Sequence, residues 1–171
     1  MNENIRDEHQ AIVDAAIAAS GQLVATKVPH CLVGRLGLLS RGHSDGMKQP
    51  IEEITFLVDQ EAAFMTTSSK VVVVKVALPL AVGDFRVKWC SLEEDWESAA
   101  WAKELAMPKN DGDIPVASLT VILCMMMMSG DDESVVGAIT DGADASEARS
   151  ILTKWKPHLG ARLTTLMRQH E

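Results

Sequence analysis

Five basic side chains could together bind an anion. Arg35, Arg41, His43 and Lys48 come before an alternating apolar segment, and Lys88 lies in a later one. Lys and Arg donate charge-assisted hydrogen bonds to phosphate and carboxylate groups, so a pocket built from these residues would take a small anionic ligand. His43 could also act as a general base. The segment 40–50 also has the composition of an exposed polar loop, whose side chains would need no function.

The acidic residues give a weaker signal for a metal. Asp131, Asp132 and Glu133 are consecutive and could bind a hard cation. Acids at the start of a helix stabilise its dipole without any metal, so we predict no metal site and no cofactor. The sequence contains no glycine-rich phosphate loop, zinc-ligand spacing or Gly-x-Ser-x-Gly elbow.

Methionine and tryptophan residues point to further apolar contacts. The run Met125 to Met128 covers every face of a helix, so at least one of its side chains should point away from a simple core. Methionine adapts to irregular partners, which suits an apolar pocket, an oligomer contact or ordinary burial. Trp96 and Trp101 are five residues apart and cannot share one helical stripe. We therefore predict a homodimer with Trp96, Trp101 or Met126 in its contact, although core packing of both tryptophans stays open.

Composition limits the class of protein. The 171 residues carry 16 Lys plus Arg against 24 Asp plus Glu, a net charge of −8, and 47% are hydrophobic. This predicts one globular domain over residues 1–171 and argues against nucleic acid as a partner, because that affinity comes from clustered cations. The N-terminus lacks a signal-peptide pattern and no apolar run reaches membrane-spanning length. Three widely spaced cysteines favour reduced thiols in the cytoplasm.

The elements that would position these residues follow from hydrophobic periodicity. The order is one helix, then strands with little helix between them, then a largely helical second half, which predicts an α+β (mixed α/β) fold with helices covering a sheet of four or five strands. Predicted helices cover residues 2–20, 36–39, 91–107, 118–128 and 131–140, a helix opened by a capping box at Asp144 and Glu147, and a last helix through Leu159 to Met167. Predicted strand segments cover residues 22–33, 51–58, 70–80 and 85–90, with 70–80 buried on both faces; their sheet cores lie near 29–33, 52–58, 70–78 and 85–90.

Two stretches carry a resemblance to a known family. The first runs from Leu32-Val33-Gly34-Arg35 through Ser40-Arg41-Gly42-His43 to residues 51–59, and the second from Ile114-Pro115-Val116-Ala117-Ser118 through Met126 and Ser129-Gly130 to Ile139. Together they resemble the small nucleotidyltransferase-like proteins of the polymerase-beta superfamily, in the branch that includes abortive-infection toxins. The resemblance covers about residues 5 to 170.

The resemblance also implies what this chain lacks. In that family two aspartates one residue apart, and a third on a neighbouring strand, hold two magnesium ions at the triphosphate. The corresponding positions here are Glu53, Thr55 and Lys88, so one carboxylate remains and a cation stands beside it. At close range in a low-dielectric cleft Lys88 would repel magnesium by several kcal/mol. The family's phosphate-approaching glycine pair becomes Gly34-Arg35.

These observations lead to one preferred function and two alternatives. The preferred one is an inactive nucleotidyltransferase-like protein that binds a small anion or a protein partner, with Gly34, Arg35, Arg41, His43 and Lys88 as ligand-binding residues. The enzyme alternative is an active, magnesium-dependent transferase with a displaced acid set. That set would be drawn from Glu52, Glu53, Asp59 and Asp84. The third is a homo-oligomeric structural or regulatory protein without a small ligand.

Overall fold

The fold is α+β, as predicted, with a four-stranded mixed sheet and a helical C-terminal half. It was obtained as a computed structural model that describes residues 3–43, 50–66, 69, 72–91, 101–110 and 112–170. The helices are α1 (Glu3–Ala25), α2 (Gly34–Ser40), α3 (Gln60–Ala63), α4 (Leu119–Ser129), α5 (Asp132–Thr140), α6 (Ser146–Trp155) and α7 (Pro157–His170), with a 3-10 turn at Ala102–Glu104. The strands are β1 (His30–Val33), β2 (Glu53–Val58), β3 (Phe64–Thr66), β4 (Val72–Val74), β5 (Ala81–Val82) and β6 (Phe85–Ser91).

The main sheet has the strand order β1-β2-β6-β5. Strand β2 pairs antiparallel with β1 and parallel with β6, and β5 and β6 form a hairpin. The outer edge of β1 is also covered, because Leu32 accepts a hydrogen bond from the amide of Ala117 and donates one to the carbonyl of Pro115. The segment before α4 is thereby fixed against the sheet.

Side-chain alternation along the strands separates two hydrophobic clusters. Ile54, Phe56 and Val58 of β2 face one cluster, which includes the buried residues of α1. Cys31 of β1 and Leu57 of β2 face the other, which includes buried residues of α4 to α7. The sheet is thus covered on one face by α1 and on the other by the C-terminal helices, and the prediction that residues 118 to 128 pack as a helix against the sheet is confirmed.

Local capping explains why the C-terminal helices begin where the sequence predicts. The Ser118 hydroxyl accepts a hydrogen bond from the amide of Val121 at 3.4 Å, and the Asp131 carboxylate accepts one from Ser134 at 3.2 Å. The capping box predicted at Asp144 and Glu147 is half formed, because the Asp144 carboxylate accepts a hydrogen bond from the amide of Ser146 at 2.9 Å but Glu147 takes no part. Helix α6 begins at Ser146, after Ala145 as its N-cap, and the Glu147 carboxylate accepts a hydrogen bond from the hydroxyl of Thr120 instead.

Three other predicted elements need correction. Helix α1 does not stop at Gly21 but continues to Ala25, so the strand predicted over 22–33 begins only at His30. Of the described residues between 72 and 80, Val72–Val74 alone form a strand, and this strand pairs with β3 outside the main sheet. Nor is that segment buried on both faces, since Leu80 is 69% exposed. Of the helix predicted over 91–107, residues 92–100 lie outside the described residues, and a 3-10 turn ends at Glu104.

Candidate functional site

A cavity of about 540 Å³ lies between the sheet and the C-terminal end of α4. This volume is within the range of pockets that hold small molecules. One wall is polar and belongs to the strands, with Glu53 and Thr55 from β2 and Arg86, Lys88 and Cys90 from β6. The opposite wall is apolar and carries Met125, Met126 and Met128 from α4. Val33, Gly34, Arg35, Pro50, Ile51, Glu52, Ser129 and Asp131 complete the lining.

The parallel pairing of β2 and β6 builds the polar wall. Thr55 is opposite Lys88 and Glu53 is opposite Arg86 in the register, and strand alternation turns these four side chains to the same face of the sheet. Further along that face Leu57 is buried in the C-terminal cluster. Along β2 the face therefore changes from apolar at Leu57 through the hydroxyl of Thr55 to charged at Glu53, and the pocket lies on its polar part.

Gly34 brings the end of β1 close to this wall. Its φ is +66°, a conformation that favours glycine, and a Cβ atom there would lie 3.2 Å from both Cβ and Oγ1 of Thr55. A side chain at position 34 would therefore be strained and would crowd Thr55. Thus the structure brings Gly34, Arg35, Glu53, Thr55 and Lys88, which were all singled out in the sequence, together at one pocket.

Arg41 and His43 do not line the pocket. Arg41 donates hydrogen bonds from Nε to the carbonyl of Ala117 at 2.7 Å and from Nη2 to the carbonyl of Val116 at 2.6 Å. These bonds fasten the end of α2 to the segment before α4, which is a structural task. The structure does not place either residue beside Lys88, and Lys48 lies outside the described residues.

Opposite charges balance in the pocket. Among the described lining residues, Arg35, Arg86 and Lys88 supply three positive charges, and the carboxylates of Glu52, Glu53 and Asp131 supply three negative ones. Among the described residues no carboxylate oxygen lies within 4 Å of the Lys88 ammonium. The Thr55 hydroxyl donates a long hydrogen bond of 3.5 Å to Glu53. Within the same part of the chain, no group of three or more His, Cys, Asp or Glu residues is arranged to hold a metal ion.

The methionine run divides between core and pocket. Met127 is buried with 1% exposure in the C-terminal cluster, whereas Met128 is 38% exposed and lines the pocket with Met125 and Met126. The prediction that at least one methionine points away from the core is thus confirmed. Met126 itself is only 3% exposed and belongs both to the C-terminal cluster and to the lining of the pocket.

The tryptophans are only partly described. Trp101 is 2% exposed and packs edge to face against Trp155, with ring centroids 5.7 Å apart. Because Trp101 is already buried against Trp155 of the same chain, its position argues against a contact with a second protomer. Trp96 lies outside the described residues.

The three thiols differ in their surroundings. Burial raises the pKa of Cys31 and of Cys124 to about 12, so both stay protonated and inert near neutral pH. Cys90 is half-buried and lines the pocket. Cys90 is therefore a useful chemical reporter for the pocket.

Several pocket residues were missed in the sequence. Arg86 and Cys90 could have been found, because they are two residues before and after Lys88 and strand alternation places them on its face. Asp131 could not, because it reaches the pocket through the turn after α4, where Gly130 adopts a φ of +79°. The local sequence predicts its capping role but not its position beside β2.

Comparisons with known proteins identify no relative, because no family model, curated protein or solved structure matches this chain. In the part of the chain that the structure describes, no helix is both long enough and apolar enough to cross a membrane. The pocket itself must therefore supply the grounds for a function.

Proposed function

We propose that this protein is an inactive nucleotidyltransferase-like protein that binds a small anion in the pocket between β2, β6 and α4. The observation that carries the proposal is the position of Lys88. It lies opposite Thr55 in the pocket wall, where the resembling family would place two of its three metal-binding carboxylates. A cation and a hydroxyl there favour an anion over a divalent metal.

The enzyme alternative requires acids that converge on one point. Of the displaced set, Glu52 and Glu53 line the pocket, but Asp59 and Asp84 do not. The Asp59 carboxylate accepts a hydrogen bond from the amide of Ala62 and caps α3, and Asp84 is exposed in the turn between β5 and β6. A transferase built on this set would have to use the two glutamates beside Lys88.

One experiment separates binding from transfer. With magnesium and radiolabelled nucleoside triphosphates we expect no label on the protein, on RNA or on small acceptors. At the three positions that would hold two metal ions, Glu53 is the one acid, and Thr55 and Lys88 take the other two. In the same preparation, small anions screened by thermal shift should raise the melting temperature. Lys88→Gln should remove the shift, while Lys109→Gln, which removes an exposed charge outside the pocket, should retain it.

Two results would overturn the proposal. Metal-dependent labelling that Glu53→Gln abolishes would identify an active transferase. A panel of anions none of which stabilises the protein in a Lys88-dependent way would remove the binding function.

We also propose a homodimer and a reducing, cytoplasmic location. Support for the location comes from Cys31, Cys90 and Cys124, none of which forms a disulfide, since cysteines outside disulfides are typical of reducing compartments. Support for the dimer comes from Met128, an exposed apolar side chain on α4.

A further inference from the structure

The two unlike walls of the pocket restrict the chemistry of its ligand. We infer that the ligand is a monocarboxylate with an apolar body, whose carboxylate contacts Lys88 and Thr55 and whose body lies on Met125, Met126 and Met128. This inference rests on the proposed anion-binding function and specifies its ligand class.

The balance of charge argues for a single negative charge. In the described part of the lining, three cations are matched by three carboxylates, so a nucleoside triphosphate would bring several negative charges beside Glu52, Glu53 and Asp131. Arg86 stands opposite Glu53 in the strand register, whereas Lys88 stands opposite the neutral Thr55. Lys88 is thus the cation without an acid opposite it, and one carboxylate would satisfy it.

The immediate surroundings of Lys88 suit a carboxylate. The ammonium group is a compact point charge with rotatable donors, and the Thr55 hydroxyl can turn from its long 3.5 Å contact with Glu53 to donate to a ligand oxygen. Gly34 brings the end of β1 close to Thr55, since a Cβ atom at position 34 would lie only 3.2 Å from Thr55. The ligand oxygens would therefore bind on the open side of the two donors, in the cavity that Lys88 and Thr55 both line.

The opposite wall suits an apolar body. Three methionines of α4 line it, and their unbranched, polarisable side chains can follow the shape of an alkyl chain or a ring. Met128 is already 38% exposed, so a ligand that covers it removes apolar surface from water. Affinity should then grow with the length of the ligand's apolar body.

The test is isothermal titration calorimetry of the intact protein with butanoate, hexanoate and octanoate, without added metal. We expect affinity to rise about fourfold for each methylene, the factor that corresponds to burying one such group. Lys88→Gln should weaken octanoate binding about tenfold, as for loss of a charge-assisted hydrogen bond. Met128→Gln should reduce the dependence of affinity on chain length. Lys109→Gln should change neither the affinity for octanoate nor this dependence.

A second measurement locates the bound ligand. Cys90 lines the pocket, whereas Cys31 and Cys124 are fully buried. Octanoate should therefore slow the reaction of Cys90 with a thiol reagent. Cys90→Ser should abolish that reaction, which would identify Cys90 as the thiol that reacts.

The outcomes distinguish this inference from the function on which it rests. If inorganic phosphate or ATP binds in a Lys88-dependent way and the carboxylates do not, the inference is wrong and the anion-binding function stands. Affinity that does not change with chain length also overturns the inference. So does octanoate binding that Lys88→Gln leaves unchanged and that does not slow the reaction of Cys90. If no anion binds through Lys88, both fail.

Discussion

At the scale of single residues, the buried histidine of β1 gives this protein a defined response to acid. The His30 ring donates from Nδ1 to the carbonyl of Val28 at 2.8 Å, because a carbonyl can only accept, and its Nε2 lies 2.7 Å from the hydroxyl of Ser20. Burial lowers the pKa of His30 below its usual 6.5, although the bond to Val28 opposes the shift. The neutral ring, which accepts from Ser20, is therefore the form that fits the fold.

The direction of the pH dependence follows from this shift. As the pH falls through 6.5 the unfolded chain takes up a proton that the folded chain does not, so the free energy of unfolding should fall between pH 7.5 and 5.5. The slope from one such group is at most about 1.4 kcal/mol per pH unit. Urea unfolding at several pH values measures it. His30→Gln should flatten the profile and the exposed His158→Gln should leave it unchanged; equal slopes in all three proteins would contradict the prediction.

Single pocket residues show how far sequence reasoning reaches. Glu53, Thr55 and Lys88 could be predicted as neighbours, because alternation within a strand and pairing between strands are regular. The charge of Arg41 predicts contact with an anionic ligand, whereas its guanidinium donates hydrogen bonds to the carbonyls of Val116 and Ala117. A charge in a sequence does not reveal whether the fold already supplies its partner.

At the scale of elements, the packing of α6 against α7 depends on one glycine. A Cβ atom at Gly160 would lie 2.6 Å from both N and Cα of Thr153, and backbone atoms cannot move aside as a flexible side chain can. We expect Gly160→Ala to lower the free energy of unfolding by about 2–3 kcal/mol, the cost typical of overpacking. Urea denaturation at pH 7.5 measures this loss.

The matched control lies in α1. A methyl group added at Gly21 would have no atom within 4 Å, and this glycine is in the interior of the helix, so Gly21→Ala should raise stability by about 0.5–1 kcal/mol. Two changes of the same chemistry should thus act in opposite directions. If Gly160→Ala is neutral, the two helices separate more readily than their contact indicates.

Elements with local signals were predicted well and those without them were not. The starts of α4 and α5 follow from the caps at Ser118 and Asp131, which act over three residues. Residues 22–25 and 70–80 are apolar without a decisive period, so composition alone favoured strands there. Tertiary contacts decided these segments: α1 continues to Ala25, and within the described residues 72–80 the strand pairing is confined to Val72–Val74, which pairs with β3.

At the scale of the whole molecule, the association state is the open prediction. At micromolar concentration we expect light scattering to give about twice the chain mass of 18.5 kDa, through a two-fold contact of at least about 1,000 Å². The contact should include the helix that carries Met125 to Met128. Met128→Gln should therefore shift the protein toward the monomer, whereas Leu80→Gln, an exposed apolar residue outside α4, should not. A monomer mass at all concentrations would contradict the prediction.

The central position of β2 has a consequence for the rates of folding and unfolding. Its two partners, β1 and β6, lie on opposite sides of it in the chain and are joined to it through long connections, so closing both pairings costs loop entropy before their contacts form. The pocket needs both pairings and the docked α4, so we expect it to be one of the last features to assemble. A ligand that binds there should then stabilise contacts that form after the folding transition state, so that it slows unfolding and leaves the folding rate nearly unchanged.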